Sequence, residues 1–140
     1  MATKYFQYQA GLGSVGQYQS STRPFLSSSI EILASGAPVV KVSFPTVTKF
    51  ITVKNTGPED SDPAILRVGF SENGVNAVES NNYFVLENDE SYSADWRVSA
   101  VYLRVDDAAG NNATASVIAG ETGIDSMELE HNWTGSTGVG

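Results

Sequence analysis

Cysteine is absent from this sequence of 140 residues. Its absence excludes disulfides, thiolate nucleophiles and cysteine-ligated zinc sites. No apolar run approaches the roughly 20 residues that a membrane-spanning helix needs, so we expect no membrane partner. Residues 1–5 also lack the apolar core of a signal peptide, and we therefore expect a protein that is made and folded in a cytoplasm.

Charge of one sign is missing from each end of the chain, whose net charge is −8. No acidic residue precedes Glu31, and no basic residue follows Arg104. An acidic body lacks the basic stripe that binds a phosphate backbone, so we expect no nucleic-acid partner. The acidity is typical of a soluble surface, and the near-neutral N-terminal segment is the part suited to lie on another surface.

Groups for catalysis are also scarce. His131 is the only histidine, and the serines include no G-x-S-x-G nucleophile motif. The acidic pairs at 59–60 and 106–107 lie in predicted turns, where carboxylates are ordinarily solvated. Residues 11–16 resemble a glycine-rich dinucleotide fingerprint, but no βαβ unit surrounds them. We therefore expect no catalytic, cofactor or metal site, and no enzyme.

Alternation with a period of two is the pattern that dominates the remaining sequence. Val40, Val42 and Phe44 alternate with polar residues, and the same pattern recurs along the chain, which indicates strands with one buried face. No segment sustains a helical period. We predict an all-β fold, a single antiparallel β-sandwich of about eight short strands. The predicted strands cover residues 28–34, 39–44, 49–55, 64–70, 83–87, 92–98, 101–105 and 114–119.

The connections between these strands are predicted from turn-forming residues. The pair Asn73-Gly74 indicates a tight turn, because both residues tolerate a positive φ. Residues 88–90 indicate a second turn, and a kink or bulge is expected near Ser99. Gly120 is expected to end the last strand.

The two ends of the chain differ in composition from the predicted strands. Residues 1–27 combine aromatic side chains with Gln, Ser and Gly, which suits an extended arm that docks on its own body or on a neighbour. Two irregular edge strands of the same domain are the alternative. Residues 28–125 form the predicted sandwich body, and residues 126–140 a glycine-rich tail. The predicted interface anchors of arm and tail are Tyr5, Phe6, Tyr8, Tyr18, Phe25 and Trp133.

A second use of the aromatic residues is a platform that binds carbohydrate. Tyr83, Tyr102 and Trp133 are the candidates, although aromatic side chains fill sandwich cores more often. This alternative describes a carbohydrate- or receptor-binding module, with a glycan as its partner.

Several segments together resemble small structural proteins of marine and cyanobacterial tailed phages. The similarity spans most of the chain and includes the closing Asn-Trp-Thr-Gly-Ser at residues 132–136. The other segments that carry the resemblance are residues 8–19, 44–50, 66–71, 73–75 and 116–120.

This resemblance implies a virion protein with a jelly-roll-like sandwich, a capsid cement or decoration protein. Such proteins often form trimers over the shell and clamp neighbouring capsid subunits. The implied partners are the major capsid protein or other virion subunits, together with further copies of this chain. With the same resemblance, the carbohydrate- or receptor-binding alternative becomes a module of a virion fibre or spike. No catalytic residues follow from the resemblance.

Overall fold

A computed structural model describes residues 10–34, 38–57, 64–77, 81–106 and 111–140. Within these ranges the chain forms eight strands, one short α-helix and two 3-10 helices. The elements are a 3-10 helix at Val15–Tyr18, β1 (Arg23–Ile32), β2 (Val40–Ser43), β3 (Thr46–Gly57), β4 (Leu66–Gly69), α1 (Glu72–Asn76), β5 (Tyr83–Leu86), β6 (Ser91–Ala94), β7 (Ala100–Val105), β8 (Ala113–Asp125) and a second 3-10 helix at Ser126–Leu129.

The strands form two four-stranded sheets. Sheet A has the order β1-β8-β3-β6, and sheet B has the order β2-β7-β4-β5. Every pair of neighbouring strands is antiparallel. Strand β1 pairs with β8, β2 with β7, β3 with β6 and β4 with β5, so the first half of the chain pairs with the second half in reverse order. The predicted all-β antiparallel sandwich is confirmed.

The main hydrophobic core lies between the two sheets. On β8, the buried Ala115, Val117 and Ala119 alternate with Ser116 and Ile118, which face outward, as the pattern predicts. Because β8 lies between β1 and β3, these small side chains occupy the middle of the core. The largest fully buried side chains of this core are Ile32, Ile51, Val53, Leu66, Val68, Val101, Leu103 and Val105.

The prediction that Gly120 ends the last strand is wrong, because β8 continues to Asp125. Gly120 pairs with Pro24 on one side and with Phe50 on the other. A Cβ atom at this position would overlap the Ser21 hydroxyl and the Phe50 ring. The glycine therefore permits a close approach of neighbouring groups within a continuous strand.

Glu121, the next residue on β8, is a buried carboxylate with 1% of its surface exposed. One carboxylate oxygen accepts a hydrogen bond from Arg23 Nε at 2.7 Å, and the other accepts from the backbone N and from Oγ1 of Thr46, each at 3.3 Å. The hydrogen bond and the charge of Glu121 raise the pKa of Arg23 above its ordinary value. These partners satisfy a charge that would otherwise be costly to bury.

The Asn-Gly pair at 73–74 does not form the predicted hairpin turn. It lies inside α1, which begins after Ser71. The Ser71 hydroxyl accepts a hydrogen bond from the Gly74 backbone N–H at 2.9 Å, and this N-cap contact starts the helix. Neither α1 nor any other helix in the described ranges has the length and apolar character needed to cross a bilayer.

The predicted kink near Ser99 is a change of sheet rather than a bulge. Strand β6 ends at Ala94 in sheet A, and β7 begins in sheet B. Thr48 Oγ1 donates a hydrogen bond to the Trp96 carbonyl at 2.7 Å and accepts one from the Val98 backbone N–H at 3.2 Å. This hydroxyl satisfies backbone groups that leave one sheet before they join the other.

Candidate assembly surfaces

The N-terminal segment, residues 10–19, lies against one end of sheet A. It belongs to a small hydrophobic cluster that is separate from the main core. The cluster joins the start of β3, the end of β8 and the second 3-10 helix, so the segment covers an edge where these elements meet. Its buried members are Val47, Ile124 and Leu129, and Ala10, Leu12 and Tyr18 pack against them.

Polar contacts fix the same segment at three points. The guanidinium carbon of Arg97 lies 4.3 Å from the centre of the Tyr18 ring, and Arg97 Nη1 donates a hydrogen bond to the Leu12 carbonyl at 3.0 Å. Leu12 N donates to Glu128 Oε2 at 3.1 Å, and the Tyr18 hydroxyl donates to the Leu12 carbonyl at 3.1 Å. Both backbone groups of Leu12 are thereby bonded to side chains.

The environment of Tyr18 changes its acidity. Burial raises the pKa of Tyr18 above its ordinary value of 10.0, the positive charge of Arg97 lowers it, and the negative charge of Glu128 raises it further. The net direction of the pKa shift is upward, which favours the neutral phenol that donates its proton to Leu12.

The predicted N-terminal anchors have different locations. Tyr18 packs on the chain's own body, one of the two docking modes expected for the arm. Phe25 lies in β1, where its ring meets Phe44 edge-on with centroids 5.0 Å apart at the border of the main core. Tyr5, Phe6 and Tyr8 lie outside the described residues. Within residues 10–19, Val15 has the most exposed large apolar side chain, with 69% of its surface accessible.

The last part of the predicted C-terminal tail, residues 132–140 and called the tail from here on, begins with a buried amide. Asn132 is 1% exposed, and its Oδ1 accepts a hydrogen bond from the Ser99 backbone N–H at 2.8 Å. Its Nδ2 donates to the carbonyls of Phe70 and Ala100, each at 2.9 Å. One side chain thus joins the tail to the end of β4 and to the start of β7.

The far end of the tail rests on α1. The Ser71 hydroxyl donates a hydrogen bond to the Val139 carbonyl at 2.6 Å. A Cβ atom at Gly74 would lie 2.5 Å from the same carbonyl oxygen. The tail therefore approaches α1 more closely than any side chain at position 74 would permit.

Trp133, the predicted tail anchor, follows the buried Asn132 and is 53% exposed. Both residues have a positive φ, 52° for Asn132 and 65° for Trp133. Asparagine tolerates this region, but for a bulky residue such as tryptophan it is an unfavourable conformation. The buried hydrogen bonds of Asn132 hold a backbone that directs a large aromatic side chain into solvent.

The outer face of sheet A carries apolar side chains that the sequence analysis did not identify as functional. One residue from each strand forms a row in direct register across the sheet: Leu26, Ile118, Thr52 and Ser93. Leu26 is 72% exposed and Ile118 is 40% exposed. The signal in the sequence was the position of Ile118, an apolar residue on the side of β8 that alternation assigns to solvent.

The outer face of sheet B, in contrast, is covered in part by α1. A Cβ atom at Gly69 would lie 2.6 Å from the Val75 side chain, so the helix packs over this glycine. The carbohydrate candidates Tyr102 and Tyr83 flank Gly69 on the neighbouring strands. The Arg67 guanidinium carbon lies 4.3 Å from the centre of the Tyr83 ring.

A cleft of about 280 Å³ opens beside Tyr83, at the junction of β4 and β5. Aromatic rings and backbone form its walls, and two asparagines line it. This composition, apolar surface with a few amides, is typical of sites that bind small neutral ligands. The lining residues are Val68, Gly69, Phe70, Asn81, Asn82, Tyr83, Phe84 and Gly138.

The remaining chemical candidates are dispersed. His131 is exposed, and residues 11–16 enter a 3-10 helix rather than the strand and helix of a nucleotide site. Arg67 Nε lies 2.9 Å from an oxygen of Asp106, so this carboxylate is paired. Residues 59–60 and Asp107 lie outside the described ranges. Within those ranges, no group of three His, Cys, Asp or Glu side chains is arranged to hold a metal ion.

The chain matches no protein-family model, and a search of curated proteins gives no match. Among solved structures, it is similar to the crystal structure of PirA, with 14% sequence identity over 70% of this chain and 93% of that chain. The TM-score is 0.37, too low to carry an argument about function.

Proposed function

We propose that this protein is a structural component of a phage virion, a capsid cement or decoration protein that stabilises the shell by holding neighbouring subunits. The observation that carries the proposal is Trp133, a large aromatic side chain that is 53% exposed on a backbone fixed by a buried asparagine. Exposed aromatic side chains on rigid supports are typical anchors of protein interfaces.

The rigidity of the support is the physical reason for this proposal. A flexible side chain loses conformational freedom when it binds, whereas an anchor that is already fixed loses less. Asn132 makes two buried hydrogen bonds and one partly buried one immediately before Trp133, so the backbone that carries the ring is fixed before any partner arrives. In this function, the ring enters a pocket on the shell or on a neighbouring subunit.

The strand order supports the jelly-roll-like architecture that the phage resemblance implies. An antiparallel ribbon pairs the first strand with the last, the second with the seventh, and so on inward. When such a ribbon folds over on itself, two four-stranded sheets result, as in double-sheet jelly rolls. Those four pairings all occur here.

Co-sedimentation with capsid shells that lack this protein tests the proposal. The wild-type chain should sediment with the shells, and Trp133→Ala should reduce binding at least tenfold, as expected when a central aromatic anchor is lost. Met127→Ala is a matched control, because Met127 is also exposed, at 68%. Equal binding of wild type and Trp133→Ala would contradict the proposed anchor, and no wild-type binding would contradict the proposed function.

A carbohydrate-binding function is the second candidate, and the cleft beside Tyr83 favours it. The residues that line the cleft include the aromatic Phe70, Tyr83 and Phe84 and the amides Asn81 and Asn82. Pyranose rings stack on aromatic faces and form hydrogen bonds through their hydroxyl groups, so both elements of this lining match a sugar.

A glycan array distinguishes this candidate from the first. Specific binding that is lost in Asn81→Ala and retained in Trp133→Ala would assign glycan recognition to the cleft. Asn81 is exposed, so its replacement should leave the fold intact, and circular dichroism would confirm this. Absence of binding to any glycan would exclude the cleft as a sugar site for the ligands on the array.

A further inference from the structure

The outer face of sheet A has a surface pattern that differs from the rest of the chain. The row Leu26, Ile118, Thr52 and Ser93 crosses all four strands of the sheet in register. At one end the face is bounded by the Phe50 ring, which lies over Gly120. Large exposed apolar side chains that are contiguous on a flat sheet mark an interaction surface more often than isolated ones do.

Three hydroxyl groups on this face already have hydrogen-bond partners within the chain. The hydroxyls of Thr52 and Ser93 form a hydrogen bond of 2.7 Å, and Thr56 Oγ1 donates to the Thr114 carbonyl at 3.0 Å. Burying a hydroxyl is costly when it loses water without gaining a partner. Because these hydroxyls keep their partners, the face can be covered by another protein at low desolvation cost.

The charge of this face favours a second copy as the partner. The row itself carries no charge, the base Lys54 lies on the next outward row, and the acid Glu31 lies one row further away. The chain as a whole has a net charge of −8, so two copies repel each other over most orientations. A face with balanced charge is one on which two copies can meet without strong repulsion.

The size of the face sets the strength of the contact. Four strands about 4.8 Å apart and six residue steps of about 3.3 Å give at most roughly 400 Å² of planar area per copy, because β6 is only four residues long. A pair of such faces covers at most about 800 Å² before side-chain relief is added, which is less than the roughly 1,000 Å² that a stable specific interface exceeds. We therefore expect a weak, transient complex that forms at high protein concentration.

We propose that a second copy of this chain docks on the outer face of sheet A, face to face about a two-fold axis. In such an arrangement the same patch is buried on both copies. The row that contains Leu26 and Ile118 on one copy packs against the same row on the other. This pairing does not depend on the proposed virion function, and it differs from the trimer that the phage resemblance implies.

Sedimentation equilibrium on the full chain measures the predicted association. We expect a monomer–dimer equilibrium, and Leu26→Glu should raise the dissociation constant at least tenfold, because it places an unpaired charge in an apolar contact. Val85→Glu, on the outer face of sheet B, is the matched control, since Val85 is 44% exposed, and it should leave association unchanged. Ile118→Glu provides an independent variant on the same row.

Salt provides a second readout with a defined sign. The contact is neutral while the two chains repel, so raising the ionic strength from about 0.02 M to about 0.3 M should strengthen association. A contact made by ion pairs would weaken instead. The proposal is overturned if the chain stays monomeric at high protein and salt concentration, if Leu26→Glu associates like the wild type, or if the only oligomer is a trimer.

Discussion

The two ends of the chain are held on the same body by contacts of different kinds. The C-terminal tail is fixed by the buried Asn132 amide and by a close approach of backbone to Gly74. The N-terminal segment is fixed by partly exposed contacts of Arg97, Glu128 and Tyr18. Buried polar groups are costly to separate, whereas exposed ones exchange for water, so the tail should be the more firmly held of the two.

Asn132→Ala should produce the largest loss of stability among the variants that test this difference between the two ends. The change removes two buried hydrogen bonds and one partly buried one, which connect Asn132 to backbone groups of Ser99, Ala100 and Phe70. We expect the free energy of unfolding to fall by about 2–4 kcal/mol, measured by urea denaturation. Asn112→Ala is the control, because Asn112 is exposed, and a similar loss there would contradict the special role of Asn132.

Gly74→Ala should have the next largest effect. Its Cβ would lie 2.5 Å from the Val139 carbonyl and 2.9 Å from the Asn82 carbonyl, so the end of the tail must move away. We expect a loss of about 1–3 kcal/mol and faster hydrogen exchange at the amides of residues 139–140. Gly13→Ala is the control, since no atom lies within 4 Å of the added methyl group. Unchanged exchange in Gly74→Ala would show that the tail is not held at α1.

Arg97→Ala tests the N-terminal segment. It removes the contact with the Tyr18 ring and the hydrogen bond to Leu12. We expect a loss of only about 0.5–1.5 kcal/mol, with faster hydrogen exchange confined to residues 10–19. Lys54→Ala, an exposed cation elsewhere on the surface, should change neither quantity. A loss as large as that of Asn132→Ala would reverse the comparison between the two ends.

The smallest effect concerns the ionisation of Tyr18. Its pKa is raised in the folded protein, so folding favours the neutral phenol. The resulting stability is present below the ordinary pKa of 10.0 and is lost as the pH rises through the folded pKa. Denaturation of wild type and Tyr18→Phe between about pH 8 and pH 11 should therefore show a difference that shrinks at the alkaline end. A difference that grows with pH would contradict the direction of the shift.

The alternation of apolar and polar residues predicted the fold class, because one side of each strand faces the core. It assigned β8 correctly from Ala115 to Ala119, yet it ended the strand at Gly120, because a glycine has no side chain to reveal its close contact with Phe50. Helix α1 was not predicted, because the Asn-Gly pair at 73–74 also suits a tight turn. The N-cap contact of Ser71 favours the helix over that turn.

The candidate surfaces were less predictable than the fold. Trp133 was identified from its position in a glycine-rich tail, but the burial of Asn132 depends on Phe70 and Ala100, which are distant in sequence. Leu26 was assigned to the arm, because nothing local shows that β1 begins at Arg23 and pairs with β8. Such partners become visible only when the pairing of distant strands is known.

The pairing of β1 with β8 has a kinetic consequence. Arg23 lies opposite Glu121, so sheet A cannot be completed until β8 has left the ribosome. Folds dominated by partners far apart in sequence have a high contact order and acquire their structure in milliseconds to seconds, more slowly than helical bundles. During synthesis, the nascent chain therefore exposes the edges of β1 and β3 until β8 can pair with them.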